Sequence, residues 1–158
     1  MKMKAWKPYL FFVLLTEGVG LLAGLLTRDA TAIYSEVVLK PALSPPAIVF
    51  PIVWTVLYAL MGIGAARVWR SPESADRKRA LNIFIIQLVL NFFWSLIFFN
   101  AQAFGFALLW LMLLWVLVLL MILSFGKVDR VAALLQIPYL LWVTFAAYLN
   151  YGVWVLNG

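Results

Sequence analysis

Five apolar blocks, each about as long as the roughly 20 residues a helix needs to cross a hydrocarbon core, constrain this chain more than any other feature. They run from about Pro8 to Leu26, Ala47 to Trp69, Ala80 to Phe99, Phe104 to Phe125 and Val131 to Leu156. Lipid offers no hydrogen bonds to bare backbone, and the blocks lack the alternation of barrel strands, so they are expected to be helices. Composition agrees. Hydrophobic residues make up 66% of the 158, and charged ones 11% against roughly 25% in soluble domains. The expected architecture is all-α: one domain over residues 1–158, a single bundle of five transmembrane helices embedded in a lipid bilayer.

Charge gives the orientation. Of the 12 lysines and arginines, Lys2, Lys4 and Lys7 precede the first block, Arg67, Arg70, Arg77, Lys78 and Arg79 surround the second connection, and Lys127 and Arg130 sit at the fourth. Only Arg28 and Lys40 fall on the other side. The positive-inside rule then places the N-terminus in the cytoplasm and the C-terminus outside, and favours a bacterial cell membrane. The net charge of +6 is dispersed over short loops, which argues against nucleic acid as a partner. A basic start and Ala30-Thr31-Ala32 also suit a cleaved signal peptide, but the first block is too long and carries Glu17 in its middle, so it is read as a retained span.

The chain has no His and no Cys, which removes thiol nucleophiles, disulfides, imidazole bases and His-liganded haem or zinc sites; no metal site and no obligatory cofactor are expected. Indole is abundant instead. Trp6, Trp69 and Trp154 lie near block ends, where interfacial anchoring accounts for them. Trp54, Trp94 and Trp142 lie within blocks. Thr27 to Pro46 is the one long connection, and its half Lys40-Pro41-Ala42-Leu43-Ser44-Pro45-Pro46 is stiffened by prolines, as expected of a lid.

Spacing groups the polar and aromatic residues. Gln87, Asn91, Trp94, Ser95 and Phe98 share one helical stripe in the third block, which should face inward because amides are costly against lipid. Trp54 and Tyr58 are one turn apart, followed by Met61 and Ala65; Trp142, Ala146 and Asn150 repeat the pattern in the fifth block. Such stripes suit either a pocket for a flat, largely apolar ligand or ordinary interhelical packing and hydrogen bonding. Glu17 is the one acid inside a block. By analogy with the ~2.5–3.5 kcal/mol of Asp at a helix centre, it should avoid lipid, and it either meets a polar ligand group or sits protonated. Gly20 and Gly24 form a G-x-x-x-G that suits close packing within the bundle or a homodimer face. Pro51 and Pro138 are expected to kink their helices.

Three stretches carry a resemblance. KPALSPPAIVFPIVWTVLYALMG (Lys40 to Gly62), QLVLNFFWSLIFF (Gln87 to Phe99) and PYLLWVTFAAYLNYGVW (Pro138 to Trp154) resemble the TspO/MBR family of tryptophan-rich sensory and translocator proteins. The likeness covers nearly the whole chain. It implies five helices around a pocket under the first loop, with tetrapyrroles such as porphyrin or haem, sterols or other apolar small molecules as ligands. It also implies ligand contacts at Trp54, Tyr58, Asn91, Trp94, Trp142 and Ala146, to which Tyr34, Pro45, Phe50, Gln87, Ser95, Phe98 and Asn150 are added as candidates. In that reading the three indoles stack on the macrocycle while Asn91 and Gln87 offer hydrogen bonds.

The chain departs from the family in its lid, where Ala42, Leu43, Ala47 and Ile48 stand in place of tryptophans found in many members. Leu149-Asn150-Tyr151 begins a sterol-recognition pattern that no following Lys or Arg completes. The implied roles are a receptor or sensor, a light- and oxygen-dependent porphyrin-degrading enzyme using Trp54 and Trp142, or a transporter. No acid–base apparatus supports the enzyme, and five spans do not divide into equal inverted repeats.

Overall fold

The computed structural model describes residues 4–158, so Lys2 lies outside the described residues. Its helices are α1 (Trp6–Leu26), α2 (Arg28–Val37), α3 (Val49–Trp69), α4 (Ala75–Ser95), α5 (Phe104–Gly126), α6 (Arg130–Leu134) and α7 (Ile137–Asn157). A π-helical turn, Leu96–Asn100, continues α4. Counting α4 with its turn and α6 with α7, five segments are long and apolar enough to cross a membrane. Many of their large side chains face outward, among them Leu10, Phe11 and Leu22 on α1 and Leu109, Leu113 and Leu123 on α5, as a surface solvated by acyl chains requires.

The third span begins at Ala75 rather than near Ala80. Ser74 caps it by accepting the Arg77 N–H at 3.1 Å, and Asp76 lies in its first turn, so a charged run that hydropathy leaves outside the block is helical. The long connection is also not all loop, because its first half folds as α2. That stretch holds neither Gly nor Pro and opens with Asp29 in its first turn.

The two prolines behave differently. Pro51 sits in the first turn of α3, where its missing N–H would have had no helical partner, so the expected kink is absent and α3 runs unbroken to Trp69. Pro138 stands near the start of α7, just after a turn at Leu135–Gln136 that interrupts the fifth span. Gln136 secures this break by donating from Nε2 to the Leu60 carbonyl of α3 at 3.0 Å.

At the end away from α2 the bundle is solid. Met61, Ala65, Val68, Phe84, Val118, Met121, Phe125 and Ala132 are fully buried there. Gly62 lets α1 approach α3 so closely that an added Cβ would stand 2.6 Å from the Val13 Cα. Thr16 ties the same helices with a 2.7 Å bond from its hydroxyl to the Tyr58 carbonyl. Arg67 on α3 grips Asp129 at the start of α6 through both carboxylate oxygens, at 3.2 and 3.1 Å.

Candidate functional site

Beneath the connection between α1 and α3, the same helices stand apart around a cavity of about 980 Å³, within the range of small-molecule sites. The loop contributes Tyr34 and Pro45, α3 contributes Phe50, Trp54 and Tyr58, and α4 contributes Asn91, Trp94, Ser95 and, in its π-helical turn, Phe98. From α7 come Trp142, Ala146 and Asn150. Every candidate residue but one therefore reaches this space. The exception is Gln87, which is fully buried below the cavity and does not line it.

Flat rings shape the walls. Trp54 meets Trp142 edge to face, with centroids 6.5 Å apart, and lies 5.5 Å from Tyr58. Phe50 closes on the other side of Trp142 at 5.9 Å, while Trp94 stacks on Phe98 at 5.1 Å. These rings pack against one another and present flat surfaces to the space they enclose. Trp142 is also the partition between this cavity and a shallow apolar groove on the lipid side, lined by Ile52, Val56, Leu141 and Phe145. Its buried indole Nε1 has no hydrogen-bond partner among the described residues.

The polar residues of the stripe take the second of the two roles their spacing allows, interhelical hydrogen bonding. The Tyr58 hydroxyl donates to Asn91 Oδ1 at 2.7 Å, Asn91 Nδ2 donates to the Tyr139 hydroxyl at 2.6 Å, and that hydroxyl donates to Gln87 Oε1 at 2.7 Å. Gln87 Nε2 ends the chain at Met61 Sδ, 3.8 Å away. This network joins α3, α4 and α7 under the cavity floor. Both amides thus have partners within the chain: burying an amide in lipid favours an internal partner, and the tyrosines supply it. Trp94 Nε1 similarly donates to Asn150 Oδ1 at 3.1 Å, and Asn150 Nδ2 to the Phe104 carbonyl at 2.8 Å.

The lid is fastened without tryptophan. Asn157 bonds both backbone groups of Leu39, at 3.1 and 2.8 Å, the Tyr148 hydroxyl donates to the Ala42 carbonyl at 2.7 Å, and Pro41 presses on Gly152. Lys40 folds back to donate to the Tyr34, Ser35 and Val38 carbonyls and lies 4.8 Å over the Tyr34 ring. That ring packs against Phe98 and Phe99, and burial pushes its hydroxyl pKa above the ordinary value.

Helix α1 supplies a wall that the candidate set omitted. Glu17, Gly20, Leu21 and Gly24 line the cavity at the spacing of one helical face, so the periodicity that exposed the other stripes was present here as well. Gly20 lies against the Tyr58 ring, where a Cβ would come within 2.4 Å, whereas nothing stands within 4 Å of a Cβ at Gly24. Half of the G-x-x-x-G thus serves packing within the chain, and the other half keeps the cavity open.

The chain was compared with known proteins. The sequence profile described as the TspO/MBR family matches residues 12–155. Tryptophan-rich protein TspO of Chlorobaculum tepidum is 38% identical over 143 residues, covering 88% of this chain and 89% of the relative. Protein CrtK of Rhodobacter capsulatus is 39% identical over 75% of this chain and 74% of its own length. The translocator protein of Bos taurus is 31% identical over 96% of this chain and 91% of its own. A match spanning the lid, the aromatic walls and all five membrane-crossing segments leads to one conclusion: the chain belongs to the TspO/MBR family.

Proposed function

We propose that this protein is a membrane receptor of the sensory type that binds tetrapyrroles, porphyrin or haem, and similar flat apolar ligands in the cavity under the first loop. The observation that carries the reading is the aromatic frame of Trp54, Trp142, Trp94 and Phe98 around a space of about 980 Å³. Rings already held in place lose little freedom when a flat ligand slides between them. Relatives named tryptophan-rich sensory protein, from Cereibacter sphaeroides, and translocator protein, from cattle, support the sensory reading and keep transport as its rival. The N-terminus is read as cytoplasmic and the cavity as opening toward the outer face of a bacterial cell membrane. A homodimer is consistent with the family.

The test is a titration of the purified protein with protoporphyrin in the dark, following tryptophan emission, and then illumination while porphyrin absorbance is recorded. Saturable quenching that weakens at least tenfold in Trp54→Ala and Trp142→Ala is expected, with no light-driven loss of porphyrin beyond a protein-free control. Absence of saturable quenching overturns the reading; accelerated bleaching replaces the receptor with the enzyme.

A further inference from the structure

Glu17 is the only carboxylate lining the cavity, and it stands within the membrane-spanning length of α1. None of the ion pairs among the described residues involves it, and it takes no part in the hydrogen bonds that tie the helices together. Its direction is fixed by its neighbours. Thr16 is locked onto the Tyr58 carbonyl at 2.7 Å, and Gly20, one turn after Glu17, abuts the Tyr58 ring. Glu17 therefore stands on the stretch of α1 packed against Tyr58, at the end of the cavity that Trp54 also lines. The two cationic residues of the lining, Arg28 and Lys40, are at the lid end. Arg28 lies beyond the end of α1, whose last residue, Leu26, is about 13 Å of helix rise past Glu17, and Lys40 is held to backbone carbonyls of the lid. The cavity is polarised, with positive charge at its mouth and a lone negative group at depth.

We propose that Glu17 makes this cavity selective for ligands that carry a protonated nitrogen at their deep end. Ionised opposite a cation, a carboxyl in a low-dielectric wall attracts it far more strongly than it would in water. The Trp54 ring, which lines the same end of the cavity, adds cation–π attraction. The mouth residues Arg28 and Lys40 disfavour the same charge there, which orients the ligand. The inference rests on the cavity being a ligand site and adds to the flat ligands it takes a class of aromatic molecules with a basic nitrogen at one end.

The experiment uses the full chain in phosphatidylcholine nanodiscs and three naphthalene probes with one alkyl chain, ending in a primary ammonium, an alcohol or a carboxylate. Tryptophan emission reads binding, with empty nanodiscs subtracted. In the wild type the ammonium is expected to bind about tenfold more tightly than the alcohol, with the carboxylate weakest. In Glu17→Gln the ammonium falls to the level of the alcohol, whose own affinity is unchanged, and Glu17→Lys reverses the order. Equal binding of ammonium and alcohol by the wild type overturns the proposal whether or not the variants fold, as does a preference that survives in Glu17→Gln. Protoporphyrin titrated into the same wild-type sample separates the two readings. Porphyrin binding without discrimination among the probes sinks only the role of Glu17, whereas no binding of porphyrin or of any probe sinks the cavity's function as well.

Discussion

Helix α3 is two different helices joined at Leu57. Before that residue none of its side chains is buried, and Phe50 and Trp54 border open space. After it, Tyr58, Met61, Gly62, Gly64, Ala65, Ala66 and Val68 are all buried. Both halves are equally apolar to the eye, so hydropathy does not separate them. What separates them is shape. Small residues after Leu57 admit neighbouring backbones, as at Gly62, and let Met and Leu side chains fill the gaps, whereas the large rings of Phe50 and Trp54 border the cavity. One half supplies stability, and the other a vacancy that stability maintains.

Glycines give the sharpest way to break this comparison. Gly62→Ala forces a methyl into the Val13 backbone and should cost about 3 kcal/mol or more, read as a large fall in Tm. Gly24→Ala meets nothing within 4 Å and should leave Tm unchanged or raise it by the ~0.5–1 kcal/mol that Ala gains over Gly in a helix. Equal effects at the two positions would dissolve the distinction between the halves.

A middle effect is expected at the boundary. Asn91→Leu removes the shared partner of Tyr58 and Tyr139 and should destabilise by about 2 kcal/mol, measured by thermal or denaturant unfolding in detergent. A change near zero would show that the network under the cavity floor contributes nothing to holding the closed half together.

The smallest effect belongs to the closed end's surface. Burial opposes the charge of Asp129, but the Ala132 N–H and the Arg67 guanidinium outweigh it and hold its pKa below the ordinary value. A lowered pKa in the folded state stabilises at pH above the unfolded value of about 3.9, and that contribution is lost as pH falls through the lower folded value. Both side chains are partly exposed, at 34% and 20%, so the pair is worth at most about 1 kcal/mol. In Asp129→Asn, the loss of stability below about pH 4 should be shallower than in the wild type; an unchanged acid limb would remove the pair from the account.

Much of this arrangement was legible in the sequence because lipid imposes so few options. Block length gave the spans, and the stripes carrying Trp54, Asn91 and Trp142 do converge on one space. Gln87 misled because periodicity gives direction around a helix axis but not depth along it, and one turn separates cavity wall from closed core. Helix α2 was hidden inside a segment named for its length, and Pro51 for its residue type rather than its position within a turn. The wall formed by Glu17, Gly20 and Gly24 had the right period. Glycine carries no side chain to mark a lining, so only the gap opposite Gly24 reveals it.

The account turns on the aromatic half being room for a guest rather than loose packing. Ala146 lines the cavity on α7 with little exposure of its own, so Ala146→Phe sets a ring in that space. Protoporphyrin titrated in the dark should quench wild-type tryptophan emission to a saturating limit and raise its Tm, while the Ala146→Phe protein, equally stable without ligand, shows neither response. Identical quenching and thermal shifts in the two proteins would contradict it.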